Sequence, residues 1–423
     1  MNSIQNIIRE LKKKFSSQFI RNLGWLGMAE VIYRLLRLGL VVIIARFLTP
    51  YDYGLGAIIL TVREVTQTFT NIGIGAKIIQ TEEAELDTIC NSAYWLNWVI
   101  FASLFVIQAV AAFPIAWFYK SQDIILPIIF AGGAYLIWPI TGIQKNLIQR
   151  ENRFKVIALT DSLQYSISSI FSAILAVMGL GVWAFALPPV LAAPIEIVIY
   201  YYAHDWRIKS SFTTKHWGEI FKFGKNLLGV TLLKTLRNNL DYLIIGRFIG
   251  IKELGVYFFG FNAGLGISLS IINAINAVIL PHLCAAKGEW QEFKQRYFQS
   301  IRTISYIIIP FVLLQSFFAP FYVPIVFGQK WTGAIPILIL ICLSAIPRPF
   351  ADAASQLLVA VGKPHLDFRW NIIFTSLFAL ALFIGVQWQA IGVATSVLIV
   401  HWLCLPVFTI WATKYVFPRL AKL

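Results

Sequence analysis

Twelve apolar stretches, each long enough for a transmembrane helix, follow one another along this 423-residue sequence. A helix needs about 20 apolar residues to cross a bilayer core of ~30 Å. The stretches lie approximately at residues 23–48, 53–79, 93–118, 124–147, 156–180, 183–203, 226–249, 254–281, 301–327, 334–361, 368–386 and 389–413. Charged residues make up only 13% of the chain, whereas a soluble domain averages roughly 25%. The sequence therefore predicts an all-α integral membrane protein with about 12 transmembrane helices.

The distribution of Lys and Arg among the gaps predicts which side of the membrane each gap faces. Alternate gaps, counted together with both termini, hold 24 Lys and Arg residues, whereas the intervening gaps hold only Lys120, Lys252 and Lys330. Because cytoplasmic loops are enriched in Lys and Arg, we expect a multi-pass protein of the cell inner membrane with both termini in the cytoplasm. The gaps on the outer side are only a few residues long, which leaves no room there for a catalytic domain.

Residues 1–20 form a basic segment ahead of the first apolar stretch. No apolar core of a cleavable signal peptide precedes residue 23. Apolar residues recur in the segment at helical spacing: Ile4, Ile7, Ile8, Leu11 and Phe15. This pattern favours a cytoplasmic amphipathic helix on the membrane surface, the alternative being an unstructured basic tail.

The chain carries no recognisable catalytic or metal-binding motif. Its four cysteines and five histidines are scattered, without a C-x-x-C pair, and neither a G-x-S-x-G elbow nor a phosphate-binding P-loop occurs. The net charge of +15 is spread over short gaps and forms no basic patch interleaved with aromatic residues, as a nucleic-acid-binding protein would need. We therefore predict no enzyme activity, no cofactor, no metal and no nucleic-acid partner.

A weak internal repeat divides the chain into two halves. The run 52–55 (Asp-Tyr-Gly-Leu) recurs 201 residues later as 253–256 (Glu-Leu-Gly-Val). Each half, 21–212 and 213–423, then contributes six helices in the same orientation. Parallel repeats of this kind are a transporter architecture, so we expect two pseudo-symmetric six-helix lobes around a central cavity.

Ionisable side chains at membrane depth cost about 2.5–3.5 kcal/mol each on insertion scales, so they mark candidate functional positions. The cations are Arg34, Arg37, Arg63, Lys234, Arg237 and Arg348, and the carboxylates are Glu30, Glu64, Asp161, Asp241 and Asp352. Glu30, Arg34 and Arg37 have the spacing i, i+4, i+7, which places them on one face of the first helix.

Two interpretations of these charges stay open. The cations can line a water-filled cavity and bind phosphate, because the guanidinium fork donates bidentate hydrogen bonds and keeps its charge. Alternatively, the charges pair between helices, as Glu30 can with Arg34. We assign the six cations to substrate binding and the five carboxylates to structural or coupling roles. Asn262, Asn273 and Asn276 are candidate sugar contacts, although hydrogen bonding between helices would use the same groups.

The run 45–54, Ala-Arg-Phe-Leu-Thr-Pro-Tyr-Asp-Tyr-Gly, closes the first apolar stretch and opens the second. It resembles the polysaccharide flippases, the Wzx-type exporters of O-antigen and exopolysaccharide repeat units within the multidrug/oligosaccharidyl-lipid/polysaccharide superfamily. The stretches 179–184 and 149–154 are similar to that family as well. The resemblance runs from about residue 20 to the end of the chain.

This resemblance implies a two-lobed, V-shaped transporter for polysaccharide, lipopolysaccharide O-antigen or exopolysaccharide biosynthesis. It would move an oligosaccharide on an isoprenoid pyrophosphate carrier across the inner membrane by alternating access. Relatives that flip the cell-wall lipid precursor place arginines on their first and second helices, where Arg34, Arg37 and Arg63 lie here. The implied partners are the lipid-linked oligosaccharide and membrane lipids, with a polysaccharide polymerase and chain-length machinery as further candidates.

Two other functions remain as alternatives. A multidrug exporter of the same superfamily would use carboxylates against cationic drugs, which fits poorly with the surplus of cations. A membrane-embedded polysaccharide polymerase or ligase would need a substantial outer loop, and the predicted outer gaps are short.

Overall fold

The computed structural model describes residues 39–70, 73–209, 212–286 and 289–417, and these residues form helices and turns without strands. Within the helices, the side chains of residues 222–227, 230, 266–271 and 273–278 fall outside the description. The predicted segment 1–20, the charges Glu30, Arg34 and Arg37, and the side chains of Asn273 and Asn276 therefore lie outside the described part of the molecule.

The helices follow the predicted apolar stretches along the chain. We number them α1 (described over 39–47), α2 (Pro50–Thr68), α3 (Ile74–Gln80), α4 (Glu83–Tyr119), α5 (Ile125–Ala131), α6 (Gly142–Arg150), α7 (Phe154–Val177), α8 (Trp183–Ala186), α9 (Pro188–Ala203), α10 (Trp217–Asn238), α11 (Leu240–Phe248), α12 (Ile251–Cys284), α13 (Trp290–Tyr322), α14 (Ile335–Ala345), α15 (Arg348–Ala360), α16 (Pro364–Gly385) and α17 (Gln389–Val416). Short 3₁₀ turns lie at Gln122–Ile124, Gly132–Leu136, Trp138–Ile140, Gln329–Ala334 and Val386–Trp388, and a π turn at Val323–Phe327.

Four stretches predicted as continuous helices are interrupted in the structure. The stretch 53–79 breaks between α2 and α3, where Gly73 has φ of 90°, a conformation that glycine adopts readily. The stretch 124–147 passes through 3₁₀ turns that contain Pro139, and 334–361 breaks at Pro347, because proline removes a backbone donor and clashes with the preceding turn. The stretch 226–249 breaks at Asn239. The helices are therefore discontinuous inside these stretches, although two of the interrupted segments, Gln122–Ile140 and Gln329–Ala360, still have the length and composition of single spans.

Six segments of the described chain are long and apolar enough to cross a membrane by length and composition: Glu83–Tyr119, Gln122–Ile140, Trp183–Ala203, Trp290–Phe327, Gln329–Ala360 and Pro364–Val416. The last of these contains both α16 and α17. The other predicted spans include α2, which carries Arg63 and Glu64, and the α10–α11 pair with its break. The chain is thus a multi-pass membrane protein whose described part is helical.

The start of α2 explains the run 45–54 in physical terms. Thr49 is the N-cap, Pro50 occupies the first helical position, and Asp52 completes a capping box. The Asp52 Oδ2 atom accepts hydrogen bonds from Thr49 N at 2.9 Å and Thr49 Oγ1 at 2.6 Å, while Asp52 N donates to Thr49 Oγ1 at 3.2 Å. These bonds satisfy backbone groups that a helix end leaves open. The motif therefore fixes a sharp entry into the second apolar stretch.

The two halves of the chain meet at Gly54 and Gly255, which occupy equivalent positions of the repeat. A Cβ atom on Gly54 would overlap the carbonyl oxygen of Ile251, and a Cβ atom on Gly255 would overlap the carbonyl oxygen of Pro50. Pro50 and Ile251 are themselves 201 residues apart, so the contact is reciprocal. Small residues allow helix backbones to approach this closely in membranes. The repeat thus places α2 against α12 in a pseudo-symmetric contact.

A second pair of contacts joins the two halves near the same end of the bundle. Arg46 donates from Nε to the carbonyl of Val326 at 2.8 Å and from Nη2 to that of Ile325 at 2.6 Å, just beyond α13. In the other half, Arg247, again 201 residues further on, lies over the ring of Phe118 at 5.2 Å, where α4 ends. Lys330 also donates to the carbonyl of Leu48 at 2.7 Å. The gaps that were predicted on the outer side are therefore joined at one end of the molecule.

The opposite end joins gaps that were predicted on the cytoplasmic side. Lys77 Nζ lies 3.0 Å from Glu219 Oε2, which links α3 to the beginning of α10. His216 Nδ1 lies 2.9 Å from the other oxygen of Glu219. Glu219 precedes the predicted span 226–249, and hydrogen bonds with His216 and Lys77 hold the pKa of its carboxyl below the ordinary value. This end is consequently rich in paired charges at the surface.

Candidate functional site

The break at Asn239 is held by a polar contact between the two halves of the chain. Asn239 is almost completely buried. Its Oδ1 atom accepts from Thr61 Oγ1 at 3.0 Å, and its Nδ2 atom donates to Glu64 Oε2 at 3.1 Å and to the carbonyl of Thr235 at 2.9 Å. Thr68 and Thr235 add a hydroxyl–hydroxyl contact of 3.1 Å. We call this contact of α2 with α10, formed by Thr61, Glu64, Thr68, Thr235 and Asn239, the polar zipper.

A buried charged group lies beyond the break, where α11, α12 and α15 meet. Asp241 is 3% exposed, and its Oδ2 atom accepts from the hydroxyl of Tyr257 at 2.8 Å while its Oδ1 atom accepts from Tyr242 N at 3.0 Å. Arg348, the first residue of α15, interacts electrostatically with Asp352 and Asp241. Arg348 therefore compensates carboxylates in its own half of the chain.

Lys234 and Arg237 line a cleft of about 380 Å³ between α10 and α16, which we call the α10–α16 cleft. Arg237 donates from Nη1 to Asn371 Oδ1 at 2.6 Å, and its guanidinium lies 5.7 Å from the ring centre of Phe374. Lys234 and Arg237 are three residues apart and share a helix face. The α10–α16 cleft therefore presents two cations, while Asp367 is the only carboxylate among its described lining residues.

Arg63 and Glu64 are neighbours on α2 but have different surroundings. Glu64 belongs to the polar zipper. The Nε atom of Arg63 is buried and has no hydrogen-bond partner among the described residues, while the backbone carbonyl of Arg63 accepts from Tyr135 at 3.3 Å. Arg63 is thus a cation whose donor capacity is not used up by the described fold.

Asp161 lies away from the α10–α16 cleft, in a charged group of the first half. Lys145 Nζ lies 3.4 Å from Asp161 Oδ1 and 3.4 Å from Glu196 Oε1, and it sits over the ring of Tyr200 at 5.6 Å. Lys145, near the end of the predicted stretch 124–147, is one of the 24 Lys and Arg residues counted on the cytoplasmic side. Glu196 had not been singled out. One ammonium between two carboxylates leaves this group with one uncompensated negative charge when all three are ionised.

The structure divides the predicted site residues among several places. Lys234 and Arg237 share one cleft, Asp241, Arg348 and Asp352 form an adjoining network, and Arg63 and Asp161 lie in the first half. Asn262, a candidate sugar contact, is exposed and donates to the carbonyl of Phe258 in its own helix at 2.8 Å. Sequence reasoning missed Asn239, Asp367 and Asn371. Asn239 and Asn371 lie inside the predicted stretches 226–249 and 368–386, and Asp367 lies just before the latter. Their positions in the sequence do not reveal which helices they will contact, so only the fold brings these three to the site. No cluster of three or more His, Cys, Asp or Glu residues suited to a metal occurs in the described ranges.

Comparison with known proteins identifies the family. A profile described as "Polysaccharide biosynthesis protein" matches residues 43–336, well over half of the chain. The chain therefore belongs to the family of polysaccharide biosynthesis proteins, which confirms the resemblance seen in the run 45–54.

Individual relatives agree with this assignment. The chain is 26% identical over 323 residues to the teichuronic acid biosynthesis protein TuaB of Bacillus subtilis (strain 168), covering 76% of this chain and 67% of that protein. It is 25% identical over 398 residues to the lipopolysaccharide biosynthesis protein WzxC of Escherichia coli (strain K12), covering 89% and 77%.

Solved structures show the same fold at low sequence identity. The lipid II flippase MurJ in an inward closed conformation aligns with a TM-score of 0.73 at 14% identity, covering 92% of this chain and 87% of that one. A multidrug resistance MATE family transporter of the MOP superfamily in an inward-facing conformation aligns with a TM-score of 0.72 at 15% identity, covering 91% and 95%. The chain therefore has the fold of these two transporters.

Proposed function

We propose that this protein is a flippase that moves saccharide repeat units, linked to an isoprenoid pyrophosphate, from the inner to the outer leaflet of the cell inner membrane. Membership in the polysaccharide biosynthesis family supports this function, as do relatives named for teichuronic acid and lipopolysaccharide biosynthesis. The chemistry is transport, since no step of this process makes or breaks a covalent bond in the substrate.

The observation that carries the proposal is the pair of cations in the α10–α16 cleft. Lys234 and Arg237 face a space of about 380 Å³ together with a single described carboxylate, Asp367. A pyrophosphate needs cationic hydrogen-bond donors when it leaves water, and charge-assisted hydrogen bonds are the strong ones. The lipid tail can stay in the bilayer, so the protein has to shelter only the headgroup and sugars.

The transport cycle would use the two halves as lobes. With both termini in the cytoplasm, the end closed by Gly54, Gly255, Arg46 and Arg247 faces outward, so the headgroup enters from the cytoplasmic side. Opening the contact of α2 with α12 and closing the other end would then release it to the outer leaflet. The reciprocal contacts support this two-lobe arrangement, because each half contributes the same positions of the repeat to the closed end.

Multidrug export is the second candidate, because the MATE fold matches almost as well as that of MurJ. A cationic drug would meet Lys234 and Arg237 in the α10–α16 cleft, where like charges repel. The cleft therefore favours an anionic substrate.

The test is mass spectrometry of lipid-linked saccharides in a strain that lacks this gene. We expect prenyl-pyrophosphate-linked repeat units to accumulate and the surface polysaccharide to disappear, with both restored by the wild-type gene. Normal polysaccharide together with increased sensitivity to cationic drugs would instead establish the multidrug function.

A further inference from the structure

Asp367 is a carboxylate of the α10–α16 cleft with an unused hydrogen-bond acceptor. It lies in the first turn of α16 and lines the α10–α16 cleft. Its Oδ1 atom is buried and has no hydrogen-bond partner among the described residues. A buried polar atom without a hydrogen bond costs about 1–3 kcal/mol of stability. Such an atom is retained where a bound molecule supplies the missing hydrogen bond or where nearby charges balance it.

Neither cation of the cleft donates a hydrogen bond to the Asp367 carboxylate. Arg237 uses Nη1 on the Asn371 amide and acts on Asp367 only through space. Lys234 is exposed and forms no ion pair with Asp367 or with other described residues, although both line the cleft. The acceptor of Asp367 and the donors of Lys234 are therefore both available to a third partner.

Other side chains of the cleft could bind a sugar ring through hydrogen bonds and apolar contact. The Asn371 amide donates one N–H to the carbonyl of Asp367 at 2.9 Å, and an amide nitrogen carries a second N–H. Thr375 donates its hydroxyl to the carbonyl of Asn371 at 2.7 Å, which leaves the oxygen free to accept. Phe368 is 46% exposed and lines the same cleft beside Pro364. Carboxylate, amide and hydroxyl groups next to an aromatic face can bind both the hydroxyl edge and the apolar face of a sugar.

We propose that the α10–α16 cleft is the subsite for the saccharide adjacent to the pyrophosphate. Asp367 accepts hydrogen bonds from sugar hydroxyls, Asn371 donates to a ring or hydroxyl oxygen, and Phe368 packs against the ring. Lys234, on the opposite wall, binds a phosphate oxygen. This inference rests on the proposed function and assigns the sugar-reading residues within it.

The test compares two lipids that differ only in the sugar. Purified full-length protein in detergent would be titrated with farnesyl pyrophosphate and with farnesyl pyrophosphate carrying one glucose, galactose or N-acetylglucosamine. Asp367→Ala should weaken binding of at least one sugar-bearing lipid roughly ten- to hundredfold, the loss expected for a hydrogen bond to a charged group. Binding of the sugar-free lipid should stay unchanged or become tighter, since a negative charge next to pyrophosphate is removed.

Three further variants make the result specific. Asp367→Asn keeps the shape and one acceptor, so it should lose less sugar affinity than Asp367→Ala and guards against a folding defect. Lys234→Ala should weaken both lipids by a similar factor. Glu85→Ala removes an exposed carboxylate in the first turn of α4 and should change neither.

The outcomes separate the two proposals. If wild-type protein binds both lipids but Asp367→Ala weakens both equally or neither, the sugar subsite is wrong while the flippase function stands. If wild-type protein binds neither lipid, the proposed function itself fails, and the subsite fails with it.

Discussion

Asn239 donates a hydrogen bond to Glu64 across the boundary between the two halves of the chain, with 3.1 Å between Asn239 Nδ2 and Glu64 Oε2. The same residue ends the helical run of α10, so the place where the helix breaks is also the place where the halves are joined. A discontinuous helix is a common way to build a polar site at membrane depth. The helix break at Asn239 therefore links the two halves of the chain, and it lies two residues after Arg237 of the α10–α16 cleft.

Replacing Asn239 should loosen this link. Asn239→Leu removes the bonds to Thr61 and Glu64 and leaves the Glu64 carboxylate without this donor. We expect a loss of about 1–2 kcal/mol in the free energy of unfolding, measured as a lower Tm of the purified protein. Asn262→Leu is the matched control, because that exposed amide donates only within its own helix. Equal Tm values for the two variants would contradict the structural role of the polar zipper.

The contact of Gly54 and Gly255 between α2 and α12 should hold the predicted outer ends of the two halves together. Gly54→Ala and Gly255→Ala each introduce a Cβ atom that overlaps backbone of the opposite half, so the halves must separate there. We expect a reduced yield of a bismaleimide cross-link between cysteines introduced at the neighbouring exposed positions Phe47 and Ile325, with Arg46 kept, in a background without the four native cysteines. Gly333→Ala is the control, since a Cβ at that position meets nothing within 4 Å. An undiminished yield in both Ala variants would show that the contact does not hold the end closed.

Arg237 and Arg348 should respond differently to removal. Arg348 interacts electrostatically with the buried Asp241 and with Asp352. A buried charge that loses its compensation is strongly destabilising, so Arg348→Ala should lower the amount of protein in the membrane. Arg237 contacts the neutral Asn371 amide and lines the α10–α16 cleft, so Arg237→Ala should abolish polysaccharide export at near-normal abundance. Arg237→Lys should recover only part of the export, because it keeps the charge but loses the guanidinium fork. Immunoblots of membranes beside a surface polysaccharide assay measure both effects; full export by Arg237→Ala would refute its role.

Orientation in the membrane is a separate prediction. Reporter fusions after Lys215 and after Lys422 should report the cytoplasm, and a fusion at Lys330 should report the outside, because of the 24-to-3 bias in Lys and Arg. An outside signal at Lys215 would reverse the proposed direction of the closed end and rule out the twelve-span topology.

Apolar length and the run 45–54 were sufficient to predict a multi-pass helical membrane protein and its family. The capping box at the start of α2 was not predicted, although it is a local feature of the sequence. Apolar length predicts a span and Thr-Pro-x-Asp predicts a helix start, because both are properties of neighbouring residues. The helix breaks were harder to predict from the sequence. Pro347 and Pro139 could have been read as interruptions, but Asn239 breaks its helix beside partners on α2, about 175 residues earlier in the chain.

The candidate site was predictable only in part for the same reason. Lys234 and Arg237 stood out because charges in an apolar stretch are rare. Asp367 lies at the edge of its stretch, where a carboxylate is unremarkable, and only packing of α16 against α10 brings it into the cleft. Lys145 similarly looked like a loop cation until the fold placed it between Asp161 and Glu196.

Movement of a defined lipid between leaflets tests the flippase function most directly. Purified protein would be reconstituted into vesicles that contain a fluorescent prenyl-pyrophosphate-linked sugar, and an impermeant reductant would quench the dye in the outer leaflet. We predict that wild-type protein makes nearly all of the dye accessible, while vesicles with Arg237→Ala or without protein lose only the outer-leaflet fraction. Equal quenching in all three preparations, with correctly folded and inserted protein, would contradict the account.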